Sequence, residues 1–143
     1  MWHNQAILNR AEFTLNGDLH ELKRLAEMVA AFCKANALDN EIEFDLNLAM
    51  EELFTNAVQH GGCAGMKDAV RVRLERIGSA VEAEFADRGR AFDPAAAPVP
   101  DLSAPLAERP AGGLGLHLVR QLMRNFTYAR AGDWNRVTMR RPI

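Results

Sequence analysis

The sequence predicts an α/β protein (α+β by the order of its elements), a two-layer sandwich of a mixed, mostly antiparallel sheet with helices on one face. Two observations support this class. Residues 69–77 and 80–86 alternate apolar and charged side chains around a glycine turn, which is typical of a β-hairpin. Residues 19–35 and 40–59 repeat apolar side chains at helical spacing. The predicted order, strand, helix, helix, hairpin, long loop, helix, hairpin, groups the helices on one face of the sheet.

Composition restricts the class of protein further. With 143 residues, 48% hydrophobic and 25% charged, the chain fits one folded domain over residues 1–143. A formal net charge of −2 means that basic residues are not in excess, so we expect no direct nucleic-acid partner. No apolar run approaches a membrane span, so we expect no membrane partner. Two isolated cysteines without a C-x-x-C motif fit the reduced thiols of a cytoplasmic protein.

The amino-terminal half predicts one strand and two helices. Residues 5–15 carry scattered apolar side chains suited to a strand. The first helix spans about 19–35, and Asp39 then offers a cap for the second helix at about 40–59. Glycines 61 and 62 follow this second helix, where glycine is the usual stop.

The carboxy-terminal half predicts the central hairpin, a long loop, a helix and a closing hairpin. Residues 92–112 hold five of the six prolines, which favours a lid or binding loop over a core element. Apolar spacing then predicts a helix over 113–126. Residues 127–131 and 136–140 predict two strands around a Gly-Asp turn.

A polar stripe runs along the second predicted helix. Glu52, Asn56 and His60 stand at i, i+4 and i+8, which places them on one side of the helix. An acid and an amide on a largely buried helix need partners, and a bound cation with a phosphate is one way to supply them. The alternative is that the side chains of Glu52 and Asn56 lie at the border of the solvent-exposed face and pair with nearby side chains. We expect His60 to cap the helix end.

Two further motifs could bind parts of a nucleotide. Asp87-x-Gly89 follows a strand and offers a carboxylate to an amine donor such as that of adenine, with glycine leaving room for a flat ring. The alternative is an ordinary turn. Gly112-Gly113-Leu114-Gly115-Leu116 leads into a helix, whose free backbone amides suit phosphate oxygens. The alternative there is a flexible hinge. The spacing fits neither the dinucleotide-binding fingerprint nor the P-loop.

Taken in order, E-x-x-x-N-A-x-x-H, D-x-G and G-G-x-G-L resemble the N, G1 and G2 boxes of the histidine-kinase-like (Bergerat, or GHKL) ATP-binding superfamily. Within it the chain resembles the bacterial anti-sigma factor serine/threonine kinases. The stretches that carry this resemblance are Glu52–Gly61, Asp87–Pro94 and Gly112–Leu116. It spans essentially the whole chain and implies the Bergerat ATP-binding fold.

The resemblance implies ATP and Mg²⁺ as cofactors and gives the residues roles. Glu52 would be the catalytic general base, Asn56 would give an amide oxygen to Mg²⁺, and Asp87 would accept a hydrogen bond from adenine. Residues 92–112 would form the ATP lid. The nucleotide-binding residues it implies are Asn56, Asp87, Gly89, Arg109 (toward the γ-phosphate), Gly112, Gly113, Leu114, Gly115 and Leu116.

The function implied by the resemblance is that of an ATP-dependent serine/threonine protein kinase and anti-sigma factor. It would phosphorylate an anti-anti-sigma (STAS-type) protein and sequester a sigma factor, and a homodimer is possible. One alternative is a nucleotide-regulated binding module without kinase activity. Another is the catalytic ATP-binding module of a histidine kinase, disfavoured because few residues precede the first predicted strand. An ATP-hydrolysing machine of the gyrase or chaperone type would need a longer chain.

Overall fold

The computed structural model describes residues 9–93 and 113–143, and within them five strands and three α-helices form two layers. The strands are β1 (Arg10–Leu15), β2 (Val70–Ile77), β3 (Ala80–Asp87), β4 (Arg124–Ala131) and β5 (Trp134–Pro142). The helices are α1 (Leu22–Ala35), which follows a 3₁₀ turn at Leu19–Glu21, α2 (Asn40–Gln59) and α3 (Gly113–Leu122). The two-layer α/β class predicted from the sequence is confirmed.

The five strands form one sheet in the order β1-β2-β3-β5-β4, and each of these four pairings is antiparallel. The register aligns one apolar row across all five strands on the face that carries the helices. This row consists of Phe13, Val72, Phe85, Val137 and Tyr128. Because side chains alternate between the two faces of a strand, the intervening polar residues lie on the other face.

Helix α2 lies at the centre of the helical layer, between α1 and α3. Its side chains Met50 and Phe54 are fully buried against the sheet and the neighbouring helices. Complete burial of side chains of this size contributes about 1.5–3 kcal/mol each. The helix that carries the candidate chemistry is therefore held in place by the hydrophobic core.

The two ends of α2 match the sequence-based expectation. At its start, the Asp39 carboxylate accepts a hydrogen bond from the backbone N–H of Ile42 at 3.0 Å, as an N-cap residue does. At its end, the backbone N–H of Gly61 donates to the carbonyl of Asn56 at 2.9 Å, and Gly62 adopts a positive φ of 87°. A positive φ costs glycine little, which is why the helix stops there.

The segment after α2 is held against the turn between β1 and α1. Gly17 donates its N–H to the Met66 carbonyl at 2.8 Å and accepts from the Gly65 N–H at 2.8 Å. A Cβ atom on Gly17 would stand only 1.7 Å from the Cys63 carbonyl oxygen. Only glycine permits this approach, and it fixes the loop that follows the candidate helix.

The last helix is shorter than the sequence predicts. Its expected range of 113–126 ends at Leu122, and β4 begins at Arg124. Asn125 adopts a positive φ of 53°, and the pairing of β4 with β5 is irregular between Arg124 and Thr127. The apolar spacing continued past the helix because Phe126 packs against the same core from the strand.

Two remaining expectations concern the lid and the membrane. Most of the predicted lid over 92–112, namely residues 94–112, lies outside the described residues. None of the helices described in 9–93 and 113–143 is both long and apolar enough to cross a membrane.

A buried ion pair joins α2 to β5 and allows a matched test. Asp45, 6% exposed, accepts a hydrogen bond from Arg141 Nε at 2.8 Å, whereas the exposed Glu41 lies 3.8 Å from the same guanidinium. We expect Asp45→Asn to lower the free energy of unfolding by about 2 kcal/mol, because it removes the buried carboxylate and leaves the largely buried guanidinium with only the distant, exposed Glu41. Glu41→Gln should change it by less than about 0.5 kcal/mol. Equal effects of the two variants in urea unfolding would contradict this assignment.

Candidate functional site

The site begins with a carboxylate–amide pair on α2. Asn56 donates its side-chain N–H groups to the Glu52 backbone carbonyl at 2.9 Å and to Glu52 Oε1 at 3.1 Å. Both side chains are half-buried. These bonds hold the amide nitrogen of Asn56 toward Glu52, so its carbonyl oxygen Oδ1 points the other way. The predicted stripe thus contains an ordered pair, while His60 lies exposed at the C-cap of α2.

The environment of Glu52 favours its protonated form. Burial raises the pKa of this carboxyl above its ordinary value, and the nearby charge of Glu51 acts in the same direction. The hydrogen bond from Asn56 and the proximity of His60 lower the pKa and partly offset the rise. Because the folded chain holds this proton more tightly than the unfolded chain, ionisation of Glu52 makes folding less favourable as the pH rises above its unfolded pKa.

The amino terminus of α3 contacts this carboxylate. A Cβ atom on Gly115 would lie 2.0 Å from Glu52 Cδ and 2.1–2.3 Å from its two oxygens, so a residue with a side chain cannot occupy this position unless Glu52 moves. Gly115 lies in the first turn of α3, which begins at Gly113. The backbone N–H groups of a first helical turn have no partner within the helix and form its positive end. Glu52 therefore lies beside a place suited to an anion.

The predicted D-x-G turn lies at the end of β3. Asp87 Oδ1 accepts hydrogen bonds from the Gly89 N–H at 2.8 Å and from the Asn135 side-chain amide at 3.0 Å. Among the described residues, Oδ1 accepts both of these hydrogen bonds, so Oδ2 can accept one from an amine. The thiol of Cys63 lies 4.0 Å from Oδ1, and burial, together with the charge of Asp87, raises the pKa of this thiol to about 11.

The D-x-G turn packs directly on the end of α2. A Cβ atom on Gly89 would stand 2.6 Å from the Gly61 carbonyl oxygen, and this same oxygen accepts the Arg90 N–H at 2.9 Å. Arg90 also donates a side-chain hydrogen bond to the His60 carbonyl. From Glu52 to Gln59, where α2 ends, the helix rises about 10.5 Å at 1.5 Å per residue, and Gly61 follows two residues later. The two predicted ends of the site are therefore separated by a distance suited to an extended nucleoside triphosphate.

Asn135 connects these parts, and the sequence analysis missed it. This side chain is 3% exposed, and its amide donates to Asp87 Oδ1 at 3.0 Å and to the Arg90 carbonyl at 2.6 Å. Its oxygen accepts from the Tyr128 hydroxyl at 2.6 Å and from Arg130 Nη1 at 3.2 Å. The available signal was a polar residue at an inward-facing position of a strand, in line with Val137 and Met139. Such a residue needs hydrogen-bond partners when it is buried.

The remaining predicted site residues fall into three groups. Leu116 is buried in the core, where it packs α3 onto the protein, and a contact with nucleotide stays a prediction. Gly113 and Leu114 occupy the first turn of α3. Arg109 and Gly112 lie outside the described residues, and their roles also remain predictions.

Two features define a histidine-kinase-like ATP-binding domain. The first is an antiparallel five-stranded sheet with its helices on one face, and the second is a helix that begins with glycines beside a carboxylate. The chain belongs to the family of histidine kinase-like ATPase domains (HATPase_c_2), which it matches over residues 15–141. This membership confirms the superfamily resemblance read from the three boxes.

One relative and one solved structure add detail. The chain is 34% identical over 98 residues to the serine/threonine-protein kinase BtrW of Bordetella bronchiseptica, a match that covers 68% of this chain and 69% of BtrW. It is similar in fold to the crystal structure of the RsbU and RsbW domains of Rv1364c from Mycobacterium tuberculosis, with a TM-score of 0.69 and 16% identity. That match covers 93% of this chain but spans only 32% of the solved one. The chain is thus a kinase-like ATPase domain similar to a serine/threonine-protein kinase.

The connecting role of Asn135 gives the first functional prediction. We expect Asn135→Ala to weaken ATP binding about tenfold, or 1.4 kcal/mol, because Asp87 loses the hydrogen bond that orients it. The preference for ATP over GTP should also fall if Asp87 has its predicted role, since guanine offers no amine at the position from which Asp87 would accept a hydrogen bond. Asn36→Ala is the control, because Asn36 is a buried asparagine at the C-cap of α1 that donates to the Phe32 carbonyl at 2.9 Å. Calorimetric titration of both nucleotides checks this; equal effects of the two variants on ATP affinity would contradict the assignment.

Proposed function

We propose that this protein is a Mg²⁺-ATP-dependent serine/threonine protein kinase that phosphorylates a STAS-type anti-anti-sigma protein and sequesters a sigma factor. The observation that carries the proposal is the contact between Glu52 and Gly115. It brings a carboxylate against the positive end of a helix, where the terminal phosphate of ATP would bind. Similarity to a relative named as a serine/threonine-protein kinase supports the reaction type.

Glu52 suits the part of a general base. Asn56 occupies its Oε1, and Oε2 remains for the hydroxyl of an acceptor serine or threonine. The raised pKa of Glu52 lies closer to neutral pH than that of an ordinary carboxyl group. A carboxylate with a pKa nearer to the working pH is a more effective general base. As the bond from the acceptor oxygen to the γ-phosphorus forms, the bond from that phosphorus to the bridging oxygen breaks and ADP leaves. The hydroxyl proton passes to Glu52.

Asn56 fits the role of magnesium ligand. Its amide nitrogen is used by Glu52, so its oxygen is directed away from the carboxylate and would be available to a metal ion. Mg²⁺ prefers oxygen ligands and keeps several waters and phosphate oxygens, so one protein oxygen is enough. When bound, the ion would neutralise charge on the phosphates. Gly113 and Gly115 would bind the phosphates through backbone N–H groups.

The base end of the nucleotide would lie at the D-x-G turn. Asp87 Oδ2 would accept from the exocyclic amine of adenine, while Gly89 leaves the ring surface uncovered. Residues 92–112 would close over the phosphates as a lid, with Arg109 near the γ-phosphate and Gly112 beside it. We propose that residues 1–143 form one ATP-binding domain in the cytoplasm, where the two free cysteines would stay reduced.

Replacement of Glu52 tests the base. We expect Glu52→Gln to keep ATP affinity within about twofold but to lower phosphate transfer to a STAS-type partner at least about 100-fold, because the amide cannot accept the proton. The fold should remain, since glutamine keeps the oxygen bonded by Asn56. Glu51→Gln is the matched control, since the neighbouring Glu51 is exposed and faces elsewhere.

Labelled ATP measures the transfer and separates the rival functions. Wild-type transfer by Glu52→Gln would show that the base is wrong. Capture of the partner that depends on ATP but transfers no phosphate would indicate a binding module. Acid-labile phosphate on a partner histidine would indicate a histidine kinase module.

Asn56 tests the metal separately. We expect Asn56→Ala to weaken ATP binding about tenfold in the presence of Mg²⁺ and much less when EDTA removes the ion, since the side chain acts through the metal. Asn47→Ala, a half-buried asparagine on the same helix, should leave both affinities unchanged. A loss that is equal with and without Mg²⁺ would contradict a metal-binding role.

A further inference from the structure

The sheet face opposite the helices carries a network of paired charges. The register places Glu12, Arg73 and Glu84 side by side on β1, β2 and β3. Arg73 forms an ion pair with Glu84 at 3.0 Å, and Arg136 of β5 bonds the same carboxylate at 2.8 Å. Opposite charges directly across a sheet stabilise it modestly, so the centre of this face needs no partner to balance its charge.

One end of this face differs, because two arginines there share an aromatic ring. The guanidinium carbon of Arg71 lies 4.1 Å from the centroid of the Trp134 ring, and that of Arg88 lies 4.8 Å from it. Both arginines are exposed, and neither forms an ion pair with an acidic side chain among the described residues. A cation–π contact attracts a guanidinium but does not neutralise it. Arg71, Arg88 and Trp134, here called the Arg–Trp–Arg cluster, therefore carry two uncompensated positive charges.

The cluster borders an open groove. The groove has a volume of about 870 Å³ and runs across the sheet between β1 and β5. Its lining includes Thr14, Arg71, Trp134, Arg136 and Thr138. Arginine and tryptophan are also the residue types that most often dominate the energy of protein–protein interfaces.

Charge decides which anionic partner fits. Of the four arginines that line the groove, Arg10, Arg73 and Arg136 pair with Glu12 or Glu84. A polyanion laid along the groove would therefore meet already paired charges over most of its length, and unpaired positive charge only at the Arg71 end. The chain as a whole has a formal charge of −2, which disfavours nucleic acid and anionic membranes at long range. A protein segment can instead place one or two carboxylates against the arginines of the cluster. Its uncharged side chains can then lie along the remainder of the groove.

We infer that the Arg–Trp–Arg cluster and its groove form a docking site for an acidic segment of a partner protein. Carboxylates would bind the outer faces of Arg71 and Arg88, while an apolar side chain of the segment packs beside Trp134. The site lies on the sheet face opposite the helices, so docking does not depend on the proposed kinase activity. Arg88 stands between Asp87 and Gly89 in sequence, which gives a bound partner a direct route to the adenine end of the nucleotide site.

The test uses a random library of 12-residue peptides selected against the Trp2→Phe protein, in which Trp134 is the only tryptophan. Peptides that bind should be enriched in aspartate and glutamate and should change Trp134 fluorescence. We expect Arg71→Gln/Arg88→Gln to weaken their binding at least tenfold. The control Lys23→Gln/Lys34→Gln removes two exposed charges from α1 and should leave binding within twofold. Kinase or ATP-binding activity is not needed for this measurement.

Three results would overturn the inference. The first is a selection that yields no binders or binders without acidic enrichment. The second is undiminished binding of acidic peptides to the double arginine variant. The third is a dimer in sedimentation experiments that the double arginine variant abolishes, because a second copy of the chain would then cover this face.

Discussion

The contact between the Glu52 carboxylate and the bare backbone of Gly115 is the constraint on which the candidate site depends. A half-buried carboxylate is unfavourable unless its surroundings compensate, and here the hydrogen bond from Asn56 does so only in part. The same close approach places the helix start that would bind phosphate next to the proposed base. The features that make Glu52 costly for folding are those that suit it to accept a proton.

The other end of the site depends on backbone packing. Gly89 rests on the Gly61 carbonyl, and Asn135 joins the carboxylate of Asp87 to the backbone of the same turn. A network whose buried members are all bonded is rigid, and among the described residues it holds Asp87 through Oδ1. Because Gly61 caps the helix that carries Glu52, the two ends are linked through α2. Rigid spacing between them suits a ligand of fixed length.

Local patterns in the sequence singled out candidate site residues but not the contacts that support them. Glu52, Asn56, Asp87 and Gly115 followed from residue type and spacing, because helix periodicity and glycine geometry are local properties. Asn135 did not, since its role depends on the register of β3 with β5 and on residues far apart in the chain. The stacking of two arginines on Trp134 was hidden for the same reason. The early end of α3 also escaped, because Phe126 keeps its apolar contacts after the helix becomes a strand.

The central claim is that α2, the end of β3 and the start of α3 surround a single nucleotide. The most direct measurement is a nuclear magnetic resonance titration with a non-hydrolysable ATP analogue and Mg²⁺. It would follow the backbone amides of Gly89 and Gly115 and the side-chain amide of Asn56. The account predicts that all three signals shift and saturate with one Kd. Shifts confined to one of these positions, or saturation with unrelated constants, would contradict it.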